Sequence, residues 1–177
     1  MRIPTIIAQF SVFTLFLLVP ASTSAYTSTA QHAIQISDTQ ALYTVEFGFS
    51  TRENDFFIPI QAVANVPYGS DRDVVGFSVI EDRAGVATDV TTHSIILSDA
   101  EVVDGMYRIP AGETQLFTLV TFVTVPSDRP DAEYLIQVTS LPHYVGIDRE
   151  RRFVNDVELR SFISPGVELN LPPQHTD

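Results

Sequence analysis

The chain has 177 residues, and its 22 acidic residues outnumber ten arginines, with no lysine, to give a net charge of −12 at pH 7. This balance argues against nucleic acid as a partner, because affinity for phosphates comes from cation-rich surfaces. It argues equally against attraction to an anionic membrane surface. The chain also has no cysteine, so its stability in an oxidising compartment must come from packing and not from disulfides.

The first 25 residues are typical of a secretory signal peptide. A basic start is followed by an uncharged apolar stretch, residues 3–19, and then by a proline and a run of small residues. We therefore predict a signal peptide helix over 1–25, with cleavage between Ala25 and Tyr26. The alternative is an uncleaved anchor, because the uncharged stretch is just long enough to span a bilayer. Cleavage would leave 152 residues with a net charge of −13, the size of one domain.

Beyond residue 25, short segments of strand-favouring residues alternate with turn-forming residues. Residues 26–32 are expected to form a flexible leader, 33–164 a β-sandwich domain, and the Pro-rich residues 165–177 a disordered tail. The predicted strands are 33–36, 41–50, 56–65, 74–80, 93–97, 116–125, 134–141 and 155–163, with a brief extended piece at 102–103. No segment in this region has a helical period, so the pattern predicts an all-β fold of about eight strands.

The segment from Leu116 to Val125 is the longest uninterrupted run of strand-favouring residues, and we predict that it is a central strand. Its better core face is formed by alternate residues. These are Phe117, Leu119, Thr121, Val123 and Val125. Pro59 lacks an N–H group, so the strand predicted at 56–65 is expected at a sheet edge or at a bulge. Because each predicted strand has one apolar face, an antiparallel two-sheet sandwich is the expected architecture.

Two segments resemble the second half of immunoglobulin-like domains of bacterial exported and surface proteins. They are I-P-A-G-E-T-x-x-F-T-L, residues 109–119, and D-A-E-Y-L-I-Q-V, residues 131–138. In such domains a turn that contains glycine leads into one sheet, and an A-x-Y segment opens a strand of the other. The resemblance implies an immunoglobulin-like sandwich in which the Tyr134 hydroxyl bonds to upstream backbone. It implies an interaction or spacer module, although the disulfide and core tryptophan of the family are missing here.

Acidic loops are the most distinctive local chemistry of the chain. The carboxylates concerned are Asp71, Asp73, Asp99, Glu101 and Asp104. Calcium takes six to eight oxygen ligands, and loops at one end of a sandwich can supply them together. The spacing matches no known calcium loop, so solvated acidic loops are the alternative. We therefore predict no resident cofactor and no metal, with these five side chains as the candidates if calcium does bind.

Other polar and aromatic residues form no catalytic pattern. The histidines, His32, His93, His143 and His175, have no spacing typical of zinc ligands. The only basic cluster is Arg149, Arg151 and Arg152. Interleaved acids predict local ion pairs for this cluster, with binding of a partner's carboxylates as the alternative. The exposed aromatic candidates in predicted loops are Tyr68, Tyr107 and Tyr144.

These observations favour an exported, non-enzymatic β-sandwich module that binds another protein or a cell-surface component. It would be extracellular, at the cell surface or periplasmic. A carbohydrate-binding module is the first alternative, and it would need a planar row of exposed aromatic side chains. A secreted hydrolase is the second alternative, and it would need a cleft with a perturbed carboxylate or a histidine beside a serine.

Overall fold

The computed structural model describes residues 25–129 and 131–170, and nearly all regular structure in them is β. The all-β prediction is therefore confirmed. The predicted signal peptide, up to residue 24, and residues 171–177 of the predicted tail lie outside the described residues. Within the described part of the chain, no helix has the length and apolar character needed to cross a membrane.

The described residues form fourteen strands and one short helix. In chain order they are β1 (Ala25–Ser37), β2 (Gln40–Ser50), β3 (Phe56–Pro59), β4 (Ala62–Ala64), β5 (Val75–Glu81), β6 (Gly85–Val86), β7 (Thr91–Leu97), β8 (Glu101–Val103), β9 (Met106–Ile109), β10 (Thr114–Thr124), β11 (Ala132–Ser140), β12 (Pro142–Val145), β13 (Glu150–Phe153), α1 (Asp156–Leu159) and β14 (Val167–Leu169).

These strands form three sheets. The first sheet has the order β1-β2-β10-β7, and all its neighbours are antiparallel. The second sheet has the order β14-β11-β5-β4, with β6 paired to β5. The third sheet has the order β13-β12-β3-β9-β8. All pairs are antiparallel except that of β4 with β5, which is parallel. As predicted, the strand β10 is central, because it pairs with β2 along its full length and with β7 on its other side.

One continuous core lies between the sheets. The predicted inner face of β10 is buried, and so is that of β2, where Tyr43, Val45, Phe47 and Phe49 have no exposed surface. The Tyr43 hydroxyl crosses the core and donates a hydrogen bond of 2.8 Å to the Tyr134 carbonyl on β11. This bond satisfies a polar group that would otherwise be costly to bury.

The structure differs from the expectation of a flexible leader over residues 26–32. These residues belong to β1, which pairs with β2 from Ala25 opposite Ser50 as far as the connecting turn. The ring of Tyr26 packs edge-on against Phe49, with the ring centroids 4.8 Å apart. Strand pairing and this aromatic contact outweigh the polar, serine- and threonine-rich composition that suggested a leader.

The C-terminal third also differs from the sequence-based expectation. Residues 142–153, which fall between two predicted strands, form the hairpin β12–β13, and residues 155–163, expected as a strand, contain α1. The first part of the expected tail forms β14, which pairs with β11. Helix α1 replaces a strand because the Asn155 side chain accepts hydrogen bonds from the N–H groups of Val157 and Glu158, which is the standard N-cap arrangement.

The strand expected at 56–65 is divided between two sheets. The chain leaves β3 at Pro59 and enters β4 at Ala62, so that β3 lies inside the third sheet and β4 at the edge of the second. Pro59 is the last residue of β3 and lies beyond the two residues that pair with β12. Its missing N–H group is therefore tolerated.

Replacing the N-cap should test the origin of α1. We expect Asn155→Ala to lower the free energy of unfolding by about 1 kcal/mol, because two N–H groups of the first turn lose their acceptor. Asn155→Asp should retain most of the stability, since a carboxylate also accepts these bonds. Urea denaturation of both variants measures the effect. Equal stability of Asn155→Ala and the unchanged protein would show that the cap does not determine this conformation.

Candidate binding surface

The outward side of the first sheet is a regular surface that is partly open to solvent. We define the outer face by the side chains that alternate with the buried ones in the register of this sheet. They are Thr27, His32 and Ile34 on β1, Leu42, Thr44, Glu46 and Gly48 on β2, Leu116, Thr118, Val120, Phe122 and Thr124 on β10, and Thr91, His93, Ile95 and Leu97 on β7. Its central side chains, such as Val120 and Phe122, are only half-buried.

The strand register places the outer-face side chains in rows across the sheet. One row runs Ile34, Leu42, Phe122 and His93, and the next runs His32, Thr44, Val120 and Ile95. Apolar side chains at the margins remain open to solvent, since Ile34 and Leu116 are each 57% exposed and Ile95 is 52% exposed. The apolar character therefore extends from one sheet edge to the other.

Gly48 allows two neighbours to close over the outer face. A Cβ atom at this position would lie 2.9 Å from the Thr27 Oγ1 atom and 3.4 Å from the Leu116 Cδ2 atom. The absence of a side chain at Gly48 thus leaves room above β2 for the side chains of Thr27 and Leu116.

Charge is nearly absent from the outer face. Glu46 is its only formally charged residue among the described strands, although the whole chain carries 32 charged side chains and a net charge of −12. A sheet face that simply faces water is normally lined by polar and charged side chains. An apolar and threonine-rich face on an acidic protein is instead typical of a contact surface.

A groove with a volume of about 390 Å³ adjoins this face at the outer edge of β7. Its walls come from β4, β7, β8 and β9, and Ile95 belongs to both the groove and the outer face. The walls contain no charged residue. They are Ile60, Gln61, Ala62, Val63, Ser94, Ile95, Ile96, Val102 and Tyr107.

The structure does not bring the five calcium candidates together. Asp73 accepts a hydrogen bond from the Tyr144 hydroxyl and lies 3.7 Å from Arg151. Asp71 lies in the same loop as Asp73, whereas Asp99, Glu101 and Asp104 lie on the β7–β9 segment, and the described residues contain no group of three or more acidic, histidine or cysteine side chains placed to hold a metal ion. Two of these carboxylates have arginine partners: Glu101 lies 3.3 Å from Arg108, and Asp104 lies 2.7 Å from Arg149.

The basic cluster forms ion pairs, as the interleaved acids suggested, but mainly across loops. Only Arg152 pairs with a neighbour in the cluster, Glu150, at 2.7 Å. Arg151 donates to the carbonyl groups of Ser70 and Arg72 and so fastens the 66–74 loop. Because these side chains already have protein partners, the cluster acts as a structural clamp.

A cleft of about 500 Å³ is lined by Arg108 and by Arg149 of the basic cluster, and each of them has a partner within the protein. Arg108 bonds to Asp55 at 2.8 Å, and Arg149 lies 4.7 Å above the ring of Phe57. The pKa of Asp55 is lowered, first by a hydrogen bond from the Ala111 N–H group and further by Arg108. A carboxylate held in its charged form in this way is poorly suited to act as a general acid.

Of the three tyrosines expected on loop surfaces, only Tyr68 is exposed, at 48%. Tyr107 is buried on β9 and donates to the Ile96 carbonyl, and Tyr144 is buried on β12 and donates to Asp73. Burial, and then the bond to Asp73, raise the pKa of Tyr144 to about 12. The expectation of exposure is therefore wrong for two of the three, and they form no aromatic platform.

Tyr134 is fully buried, but its hydroxyl makes no bond to upstream backbone. It lies beside Arg129, and this contact, followed by that with Asp89, raises the pKa of Arg129. Arg129 also pairs with the buried carboxylate of Glu81. In place of the bond that the resemblance implies, Tyr134 lies beside an ion-pair cluster in which Arg129 joins the end of β5 to Asp89. Among the described tyrosines, Tyr43 and Tyr107 do donate to backbone carbonyl groups.

The histidines have different environments. His32 and His93 are exposed on the outer face, and His175 lies outside the described residues. His143 is 2% exposed, its ring stacks on Phe56, and its Nε2 atom lies 3.3 Å from the Tyr26 hydroxyl. Burial, and then the charge of Arg152, lower the pKa of His143 to about 4. This side chain is neutral at pH 7 and tethers the start of β1 to the third sheet.

No family model matches the chain, and neither a curated protein nor a solved structure gives a significant match. The functional argument therefore depends on the chain's own residues, above all on the outer face and its adjoining groove. The sequence indicated which side chains of β10 share a side, but it gave no sign that this side is left uncovered.

Acid should destabilise the fold through His143. Because its folded pKa lies below the ordinary 6.5, the neutral ring contributes stability above pH 6.5 that is lost as the pH falls towards about 4. Between pH 7 and 4.5 this loss should be about 2–3 kcal/mol. Urea denaturation across this range should show a shallower pH dependence for His143→Phe than for the unchanged protein. If the free energy of unfolding falls equally with pH in both proteins, His143 is not the cause of the acid destabilisation.

Proposed function

We propose that the chain is an exported, non-enzymatic β-sandwich module that binds another protein at or outside the cell surface through its outer face. The observation that carries the proposal is the near absence of charge from this four-stranded face on a strongly acidic chain. Burial of its half-exposed apolar side chains would contribute roughly 25 cal/mol for each square ångström removed from water.

The same surface argues against carbohydrate as the ligand. Sugar-binding faces use exposed aromatic rings as stacking platforms, whereas the exposed large side chains of the outer face are Ile34, Leu116, Ile95 and Leu97. Aliphatic and threonine side chains on a flat sheet instead suit the side chains of another protein.

Catalysis is also poorly supported by the described residues. The buried histidine, His143, is enclosed by Tyr26, Phe49 and Phe56, and the hydroxyl within hydrogen-bond distance of its Nε2 atom belongs to a tyrosine and not to a serine. The perturbed carboxylate in a cleft, Asp55, is held in its charged form. Neither arrangement supplies the nucleophile and base that a hydrolase requires.

An immunoglobulin-like topology is part of the proposal. The segment 109–119 leads from β9 through a turn into β10 of the first sheet, and the segment 131–138 opens β11 of the second sheet. The two segments that resemble this class thus lie in different sheets, as the resemblance implies. This supports an interaction or spacer role by analogy of fold, while the outer face supports it by chemistry.

Export can be tested by the start of the mature chain. We expect the native host to contain a species that begins at Tyr26, in the medium, in the periplasm or on the cell surface, because signal peptidase should cleave after Ala25. Intact mass and N-terminal sequencing of each cell fraction would measure this. A membrane species that still begins at Met1 would replace the exported module with an anchored one.

The outer face can be tested by charge insertion at exposed positions. Ile34→Asp and Leu116→Asp should each weaken cross-linking to the host partner at least tenfold, a loss of about 1.4 kcal/mol in binding. Val86→Asp is the matched control, since Val86 is 52% exposed in a strand of another sheet. Cross-linking of tagged proteins in the native host, quantified by mass spectrometry, compares the variants. A partner retained by both face variants would contradict the proposal.

A further inference from the structure

The groove beside the outer face lies where all three sheets end. Strand β7 is the last strand of the first sheet, β4 of the second and β8 of the third, and each contributes to the groove walls. Within the described residues, none of these three strands has a hydrogen-bonded neighbour on its other side. Edge strands offer unpaired backbone groups to a further strand.

The free backbone groups of β7 can be identified from its contacts. The Tyr107 hydroxyl donates to the Ile96 carbonyl at 2.9 Å, so the backbone of Ile96 points away from β10 and towards the groove. Because backbone direction alternates along a strand, the N–H and C=O groups of Thr92 and Ser94 point the same way. An added strand therefore has Thr92 and Ser94 as pairing positions, with Ile96 partly occupied by the tyrosine.

A hydrogen bond joins two walls of the groove at one point. The Ser94 hydroxyl donates to the Ala62 carbonyl at 2.8 Å and ties β7 to β4 at one place. Beyond this tie, the side chains of Ile95 and Val102, which are 52% and 55% exposed, stand at the mouth of the groove. These apolar side chains have room to pack against an incoming segment.

We propose that this groove binds an extended apolar segment of the partner protein, which pairs with the free edge of β7 as an additional strand. The inference rests on the proposed function and names the recognition mode of the same surface. Alternate side chains of the segment would enter the uncharged groove, and the others would extend the outer face beside His93 and Ile95. Backbone bonds would provide affinity, and the groove would provide selectivity for apolar residues.

The size of the surface supports an occupant that spans both features. Four strands about 4.8 Å apart and seven residues long at about 3.4 Å each give the outer face roughly 400–500 Å². A standard interface buries about 800 Å² on each partner. A partner that also occupies the groove approaches this area, and Ile95 makes the two surfaces continuous.

The negative charge near β7 indicates which residues a partner segment should carry. Asp99 and Glu101 are exposed beside the Leu97 end of β7, and the chain as a whole carries −12. A second copy of this chain would bring like charges together, whereas a segment with lysine or arginine next to its apolar residues would complement them. The expected occupant is therefore an extended segment that alternates apolar residues and ends in a basic residue.

A displayed library of random twelve-residue peptides, selected against the purified protein, tests the proposal. We expect enrichment of alternating apolar sequences with a flanking lysine or arginine. Binding of selected peptides should weaken at least tenfold with Thr92→Pro, which removes an outward N–H group, and with Ile95→Lys. Ile36→Lys is the matched control, because Ile36 is 54% exposed on β1 at the opposite edge of the sheet. Circular dichroism and thermal melting check that each variant folds. If Thr92→Pro does not fold, the binding of peptides to Ile95→Lys decides whether the groove assignment holds.

Failure to enrich such peptides, or equal binding to Ile95→Lys and Ile36→Lys, would overturn the groove assignment. The proposed function is tested by a different result, the loss of a host partner. A host partner that is lost with Leu116→Asp, together with peptides that ignore the β7 edge, would refute the groove assignment alone. The opposite result is also possible: selected peptides depend on the β7 edge, but no host partner depends on the outer face. That result would uphold the groove assignment and refute the proposed function.

Discussion

The packing of Phe117 is the interaction on which the arrangement of the sheets depends. Its ring stacks on Phe47 at 5.7 Å, meets Phe49 edge-on at 6.0 Å and meets Tyr107 of the third sheet at 5.6 Å. Phe47 in turn contacts Phe162, which lies beside the second sheet and bonds to it through the backbone. One aromatic cluster thus joins the central strand of the first sheet to both other sheets, and aromatic pairs of this kind contribute beyond the area they bury.

This cluster also determines which surfaces stay open. Because β10 directs every second side chain into the core, the remaining side chains must form the opposite face, and no described element covers them. The second sheet is different, since α1 contacts β11 and the segment after α1 bridges to Gln137. The chain after β11 therefore covers part of the second sheet and adds strands to the third, while the first sheet keeps an uncovered apolar face.

Elements with strong alternation could be predicted from the sequence, and elements fixed by single polar contacts could not. The inner face of β10 followed from a period-two pattern of large apolar residues, and β2 and β11 have the same alternating burial. The sequence pattern does not separate helix α1 from a strand, because Val157, Leu159 and Phe162 also suit a strand and only the Asn155 cap distinguishes the two. Asp104–Gly105 lies in an acidic segment, but Asp-Gly between short apolar segments is also a typical hairpin turn, and it connects β8 to β9. The groove could not be predicted at all, because it depends on where three sheets end.

The distribution of charge connects the fold to the proposed binding mode. The basic side chains with the most structural contacts, such as Arg129 and Arg151, are used to fasten loops, so the excess of carboxylates is left on the remaining surface. Electrostatic repulsion between copies then disfavours self-association through the exposed edges, which is one way in which proteins protect such strands. In the proposed binding mode, the same excess would attract a cationic partner towards an edge whose own groove is neutral. Long-range attraction and short-range apolar contact would then act at the same place, and a segment that has only one of the two properties would gain only part of the binding free energy.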